Sequence, residues 1–176
     1  GRRSEAFLAL NCSAFSRELL ESELFGYKAG AFTGAVKDKK GLLEEANHGT
    51  IFLDEIGEMA LELQSKLLRV LETGEFVKVG DTKTTRVDVR ILSATNRNLK
   101  EEIANGRFRE DLYFRLSVFR ILLPPLCQRR DDILLLAQHF IGLYARQIGR
   151  TAPSLSTDAK NIFLAYPWPG NVREMM

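Results

Sequence analysis

Cysteine, histidine and tryptophan are scarce: two, two and one among 176 residues. Cys12 and Cys127 stand too far apart for a metal knuckle, and neither has a histidine close enough in sequence to complete a ligand cluster. Both are expected to be reduced, semi-buried thiols packed as small hydrophobes. Long apolar runs are missing as well. Stretches such as Ile133–Ala137 fall far short of the roughly 20 residues that span a bilayer, so no membrane segment is expected. The residues Gly1-Arg2-Arg3-Ser4-Glu5-Ala6 have basic side chains but no apolar core behind them, so no secretory signal is expected and a cytoplasmic protein is predicted. Charge of one sign is also absent, with 25 Lys and Arg against 23 Asp and Glu and a formal net charge of +2. That balance is too even for a nucleic-acid footprint, so direct DNA binding is not expected. There is no internal repeat and no low-complexity tract. What remains is ordinary globular composition, 45% hydrophobic and 27% charged, in a length that suits one domain or two small packed subdomains.

Three apolar runs end abruptly in polar residues: Phe7–Leu10 before Asn11, Ile51–Leu53 before Asp54 and Glu55, and Val87–Thr95 before Asn96. This pattern predicts parallel strands buried on both faces, with chemistry at their carboxyl ends. Between the second and third runs, Ala60, Leu63, Leu67, Val70 and Leu71 recur at helical spacing. Strand, helix, strand makes an α/β layer, whose ligands sit beyond the carboxyl ends of the strands, where Asn11, Asp54, Glu55 and Asn96 gather. Pro124-Pro125 then makes a stiff connector, read as a hinge. Helical patterns follow over Asp131–Ile148 and Ser156–Ala165. After the break at Pro167-Trp168-Pro169-Gly170, Asn171 and Glu174 have the spacing of a capping box. The helix they open is predicted to run past Met176.

Four segments carry possible chemistry, and each has a plainer reading. Asp54 and Glu55 can hold magnesium and polarise a water at one strand end, or simply cap a following helix. Asn96 can touch a terminal phosphate or orient the same water, or serve as a turn residue. Arg107, Arg109 and Arg115 can clamp phosphoryl oxygens, or pair with Glu110 and Asp111 on a helix surface. Gly26–Ala35 is rich in glycine and alanine around one phenylalanine and one threonine, which suits a loop inserted into a partner protein; the alternative is a tight turn with Phe32 folded into the core.

Taken together, Asn11-Cys12, Glu21–Gly26, Gly30-Ala31-Phe32-Thr33-Gly34-Ala35, Gly49–Gly57, Gly106–Tyr113 and Trp168–Glu174 closely resemble the sigma-54 interaction domain of bacterial enhancer-binding activators, a branch of the AAA+ ATPases. The resemblance runs in unbroken order over nearly the whole chain. It implies an α/β AAA+ core over residues 1–126, incomplete at its amino terminus, and a truncated helical lid over 127–176. By that resemblance Asp54 binds Mg2+, Glu55 activates water for ATP hydrolysis and Asn11 holds Glu55 in a nucleotide-sensing switch. Asn96 becomes the first sensor, Arg109 and Arg115 act in trans on a neighbour's nucleotide, and Arg173 is the second sensor, in cis. Gly30 through Ala35 form the tip that grips sigma-54, led by Phe32 and Thr33. The implied partners are sigma-54 RNA polymerase holoenzyme and further copies of the chain in a ring, a hexamer in this family, with DNA contacted only through a domain outside these residues. The family's phosphate loop is expected upstream of Gly1, so poor ATP binding is expected of this stretch alone. A passive sigma-54 or self-association module stays open as the alternative for it. Where the family often reads Pro-Pro-Leu-Arg-Glu-Arg, this chain reads Pro124-Pro125-Leu126-Cys127-Gln128-Arg129, so a hinge charge pair is missing.

Overall fold

A computed structural model describes Arg2 and residues 4–176. In chain order its first part comprises β1 (Phe7–Asn11), α1 (Arg17–Phe25), β2 (Gly26–Tyr27), β3 (Lys39–Lys40), α2 (Leu42–Glu45), β4 (Thr50–Asp54), α3 (Leu61–Thr73), β5 (Glu75–Val77), β6 (Thr84–Arg86), β7 (Arg90–Ser93), α4 (Leu99–Ala104) and α5 (Glu110–Leu116). The apolar runs pair as a parallel sheet in the order β1-β4-β7, with Leu8 and Leu10 opposite Ile51 and Leu53, and Ile51 opposite Ile91. Two short antiparallel ribbons, β2-β3 and β5-β6, stand apart from it.

Side chains alternate across a strand, so one row of each strand faces the helices and the other faces away. Leu10, Ile51 and Leu53 join Leu20, Leu24 and Phe25 of α1, Leu63, Leu67 and Val70 of α3, and Phe108 and Leu112 in one buried core. The opposite row is open: Phe7, Ala9 and Leu92 are exposed and Phe52 is half-buried. Among the described residues the sheet is thus covered on one face, because the core helices lie against a single row. The third strand is also shorter than its apolar run. The Val87 N–H donates to the Gly74 carbonyl (2.8 Å) and the Asp88 N–H to the Asn47 side chain (2.9 Å), so pairing with β4 begins only at Arg90. Gly74 ends α3 in the left-handed region (φ 70°), and a Cβ there would lie 2.6 Å from the Val87 carbonyl oxygen, so only glycine fits.

The chain divides into two compact units between Arg120 and Ile121. The second unit is helical: α6 (Arg130–Gln147), α7 (Thr157–Ala165) and α8 (Asn171–Met175), with Leu126, Ile133, Ala137 and Ala145 buried. Ser156 caps α7 by accepting the Ala159 N–H (3.2 Å). The expected capping box of α8 is shifted by one residue. Gly170 holds the cap position and donates its N–H to Glu174 (2.9 Å), while the Asn171 side chain accepts the Leu126 N–H (2.7 Å) and its own backbone is left-handed (φ 52°). Asn171 is unavailable as a cap because its amide holds the turn at Leu126. Cys12 is buried, but Cys127 is exposed, correcting the expectation of two semi-buried thiols.

Candidate functional site

Parallel strands end on the same side, and this brings four of the sequence-derived residues to one edge. Asn11 and Asp54 are register partners at the ends of β1 and β4. Glu55 follows in the left-handed region (φ 53°), uncommon for a residue with a side chain, and turns the chain out of the sheet into a short 3-10 turn over Ile56–Glu58. The Glu55 N–H donates to Asp54 Oδ1 (3.1 Å), and the Ile56 N–H donates to the Ala94 carbonyl (3.0 Å), which fastens this turn to the end of β7. Glu55 Oε2 accepts the backbone N–H of Asn96 (3.4 Å). Among the described residues nothing else is hydrogen-bonded to the Glu55 carboxylate, so Oε1 is open to a water. Burial first, and then the nearby Asp54 and Glu55 carboxylates, push the Cys12 thiol up to about 12.

Asn11 does not hold Glu55 in this structure. Its Oδ1 accepts the Ser13 N–H (2.9 Å) and hydroxyl (2.7 Å), capping the short turn that follows β1. The amide thus sits beside Asp54 with its oxygen already occupied.

The three arginines of the Gly106–Arg115 stretch separate rather than converge. Arg107 stays exposed and grips the buried Glu102 with two N–H groups, both at 2.7 Å. Arg97, the residue after Asn96, donates to the same carboxylate (3.2 Å) and pairs with Glu58. The Arg107 hydrogen bonds, helped by the charge of Arg97, hold the Glu102 carboxyl down to about 2 although its surroundings are buried. Arg109 lies on the surface, bound to Asp111 (3.0 and 2.6 Å) and to the Ser65 hydroxyl (3.2 Å). Its contact with Asp111 raises the arginine and lowers the aspartate. Arg115, in the last turn of α5, is exposed and has no ion-pair partner among the described residues. Arg173 is exposed on α8, in the second unit.

Residues 28–38 form a loop between β2 and β3. Its base is closed by Lys28, which pairs with Asp38 (2.5 Å), and by the Ala29 N–H on the same carboxylate (2.9 Å). Gly30 and Gly34 take positive φ (83° and 99°), and the backbone folds on itself through Gly30 N–H to Ala35 (2.8 Å) and Ala35 N–H to Phe32 (3.0 Å). Phe32 lies edge-on to Tyr27 (4.9 Å between ring centres) yet is 47% exposed, so it is not folded into the core. The Lys28 N–H donates to the Val79 carbonyl and the Val79 N–H to the Gly26 carbonyl (both 3.0 Å), which brings the turn between β5 and β6 against the loop, and Ala31 touches Gly80.

Sequence reading missed Gln64, which is completely buried in the first turn of α3. Its Nε2 donates to the carbonyls of Met59 (2.7 Å) and Arg107 (3.0 Å), and its Oε1 accepts the Arg109 N–H (2.8 Å). The available signal was a glutamine on the apolar stripe of Ala60, Leu67 and Leu71. Glu102, on the short helix α4, gave no comparable signal. Among the described residues there is no group of three or more His, Cys, Asp or Glu side chains able to hold a metal ion, and no helix is long and apolar enough to cross a membrane.

Residues 1–122 match the family described as the sigma-54 interaction domain, and residues 127–176 match the AAA+ ATPase lid domain. The chain is 52% identical over 176 residues to a putative uric acid sigma-54-dependent transcriptional regulator of Escherichia coli, covering 99% of this chain and 30% of that protein. It is 48% identical over 174 residues to the phenol regulator MopR of Acinetobacter guillouiae, covering 99% of this chain and 31% of the relative. The chain thus spans about a third of the length of these curated relatives. Among solved structures, NtrX from Brucella abortus in complex with ATP matches with a TM-score of 0.89 and 41% identity, over 99% of this chain and 37% of that one. The same protein in complex with ADP gives the same score and identity, with 38% of that chain covered.

Proposed function

The chain belongs to the sigma-54 interaction domain family, with an AAA+ ATPase lid domain following its core, and from that premise we propose that it is the catalytic core of an ATP-driven activator of sigma-54 RNA polymerase. The observation that carries this reading is Glu55, held by the Asn96 N–H through one carboxylate oxygen while the other is open to a water. A carboxylate so placed can take the proton of a water attacking a terminal phosphate. Asp54, beside it at the strand end, would hold Mg2+ together with water and nucleotide oxygens, and the ion would neutralise charge on the phosphates.

Asn96 orients Glu55 through its backbone in this arrangement, leaving its side chain for the nucleotide. Arg109 and Arg115 are offered to the nucleotide of an adjacent copy, which requires a ring of subunits, a hexamer by family likeness. Arg173 reaches the phosphates from the lid in cis. Asn11 takes up Glu55 only after it exchanges its Ser13 bonds, so the described arrangement is one state of the proposed switch. Phe32 and Thr33, at the tip of the Gly30–Ala35 loop, contact sigma-54 and transmit the hydrolysis cycle to the closed promoter complex. DNA is bound by a domain outside these residues, and the protein works in the cytoplasm. The 176 residues alone bind ATP weakly, because the phosphate loop is not among them.

Glu55→Gln in the full-length protein tests the assignment. ATP binding is retained and turnover falls by about 10²- to 10⁴-fold, the usual worth of a general base. Unchanged turnover removes Glu55 from the role. Nucleotide titration of the 176-residue chain beside the longer one tests the second statement, and tight ATP binding by the short chain would overturn it.

A further inference from the structure

We infer that Gln64 is a positioning residue that fixes where Arg109 is presented, by tying the arginine-bearing segment to the turn that carries Glu55. The inference rests on the reading of Arg109 as an arginine offered in trans. Three observations bear on it. Gln64 has no exposed surface, so its amide cannot be satisfied by solvent. Its partners are all backbone groups: the Met59 carbonyl, directly after the Glu55–Glu58 turn, and the Arg107 carbonyl and Arg109 N–H, 43 and 45 residues further on. The pattern of two carbonyls and one N–H also specifies the residue. A primary amide has two donor hydrogens and an acceptor oxygen, and here both hydrogens and the oxygen are used. A carboxylate of the same shape would set one of its oxygens against two carbonyls. An aliphatic side chain would leave all three groups without partners.

The segment Arg107–Arg109 is thereby held on both sides. Gln64 takes its backbone from beneath, the Arg107 side chain is gripped by the buried Glu102, and Phe108 between them enters the core. Glu102 is also bound by Arg97, next to Asn96, so the same segment is linked to the residue that touches Glu55. Arg109 is left with no choice of backbone position, only of side-chain rotamer.

The test uses the full-length protein and mixed rings. In the proposed assembly each site takes its acid from one subunit and its arginine from the next, so Glu55→Gln subunits keep an intact arginine and Arg109→Ala subunits keep an intact acid. Gln64→Met is expected to lower kcat roughly 10²-fold, the scale of a small misplacement of a catalytic group, with KM for ATP unchanged. When Gln64→Met and Glu55→Gln subunits are mixed, turnover is expected to recover, because a Gln64→Met acid then meets an intact arginine, and loss of the Met59 bond leaves the Glu55 turn still fastened by the Ile56 N–H to the Ala94 carbonyl. Retained turnover in Gln64→Met, or absence of recovery in the mixture while Arg109→Ala and Glu55→Gln do complement, overturns this inference and leaves the trans arginine standing. Full turnover by Arg109→Ala refutes the trans arginine itself. If Gln64→Met does not assemble, backbone hydrogen exchange of the wild-type protein decides: the Arg109 N–H is expected to be as protected as the interior of α3, and rapid exchange there refutes the clasp.

Discussion

The loop that carries Phe32 and the segment that carries Arg109 lie on the surface of the same unit, but they are secured in opposite ways. Residues 28–38 are held by bonds within the loop, by an exposed pair between Lys28 and Asp38 and by backbone contacts with Val79. None of their side chains enters the core except Ala35. The arginine segment is anchored from below by a buried amide, a buried phenylalanine and a buried carboxylate. Local opening costs little where few apolar contacts are broken, so the loop can change shape while the rest of the unit stays folded, and the arginine segment cannot. These two supports suit the roles proposed above, a loop that moves against a partner and an arginine held in register with a neighbour's phosphate.

The comparison can be broken most directly at Arg109. Arg109→Ala in the full-length protein is expected to lower turnover by roughly 10³- to 10⁵-fold, as removal of a trans arginine does in other phosphoryl-transfer systems. Steady-state ATPase measurements check it, and a loss below tenfold would make the anchoring a matter of folding alone. Leu112→Ala tests that folding role. This side chain is fully buried beneath the same segment, and its truncation is expected to cost about 2–5 kcal/mol, read as a lower denaturant midpoint. Phe32→Ala should behave differently on both counts. The ring is half-exposed and its edge contact with Tyr27 is worth about 1 kcal/mol, so stability and turnover change little while activation of sigma-54 transcription is lost. An ATPase that falls together with activation would show that the loop is part of the hydrolytic machinery.

The smallest effect expected is one of pH. Glu102 ionises at about 2 in the folded state, below the ordinary glutamate value of 4.5. Its folded value is depressed, so its contribution to stability is complete above pH 4.5 and is lost as the pH falls towards 2. The unfolding midpoint of Glu102→Gln should therefore approach that of the wild type over this window. Parallel curves for the two proteins down to pH 2 would exclude a role for its ionisation.

How much of this was legible beforehand differs from one residue to another. The ends of β1 and β4 were plain, because an apolar run cut off by Asn11 or Asp54 marks where a buried strand reaches its edge, whereas β7 stops at Ser93, short of Asn96. Which row of β1 meets the helices was not, since Phe7-Leu8-Ala9-Leu10 is apolar at every position and only its pairing with β4 sorts the rows. The Asn171 and Glu174 spacing fitted a capping box, yet tertiary demand from the Leu126 N–H took the asparagine away. The arginine cluster was legible as charge but not as geometry. Nothing in the order Arg107, Arg109, Arg115 says that the first grips Glu102 and the second rests on Asp111. Gln64 escaped because glutamine is a common helix surface residue, and its meaning lies in groups more than 40 residues away.

The contrast between the two thiols has a practical consequence. Thiol reagents attack the thiolate, and Cys12, buried and held up to about 12, offers almost none near neutral pH. Cys127 is open to solvent at the start of the second unit. A maleimide-linked fluorophore or spin label should therefore load at Cys127 alone, giving the unaltered chain a single reporter position on its helical unit.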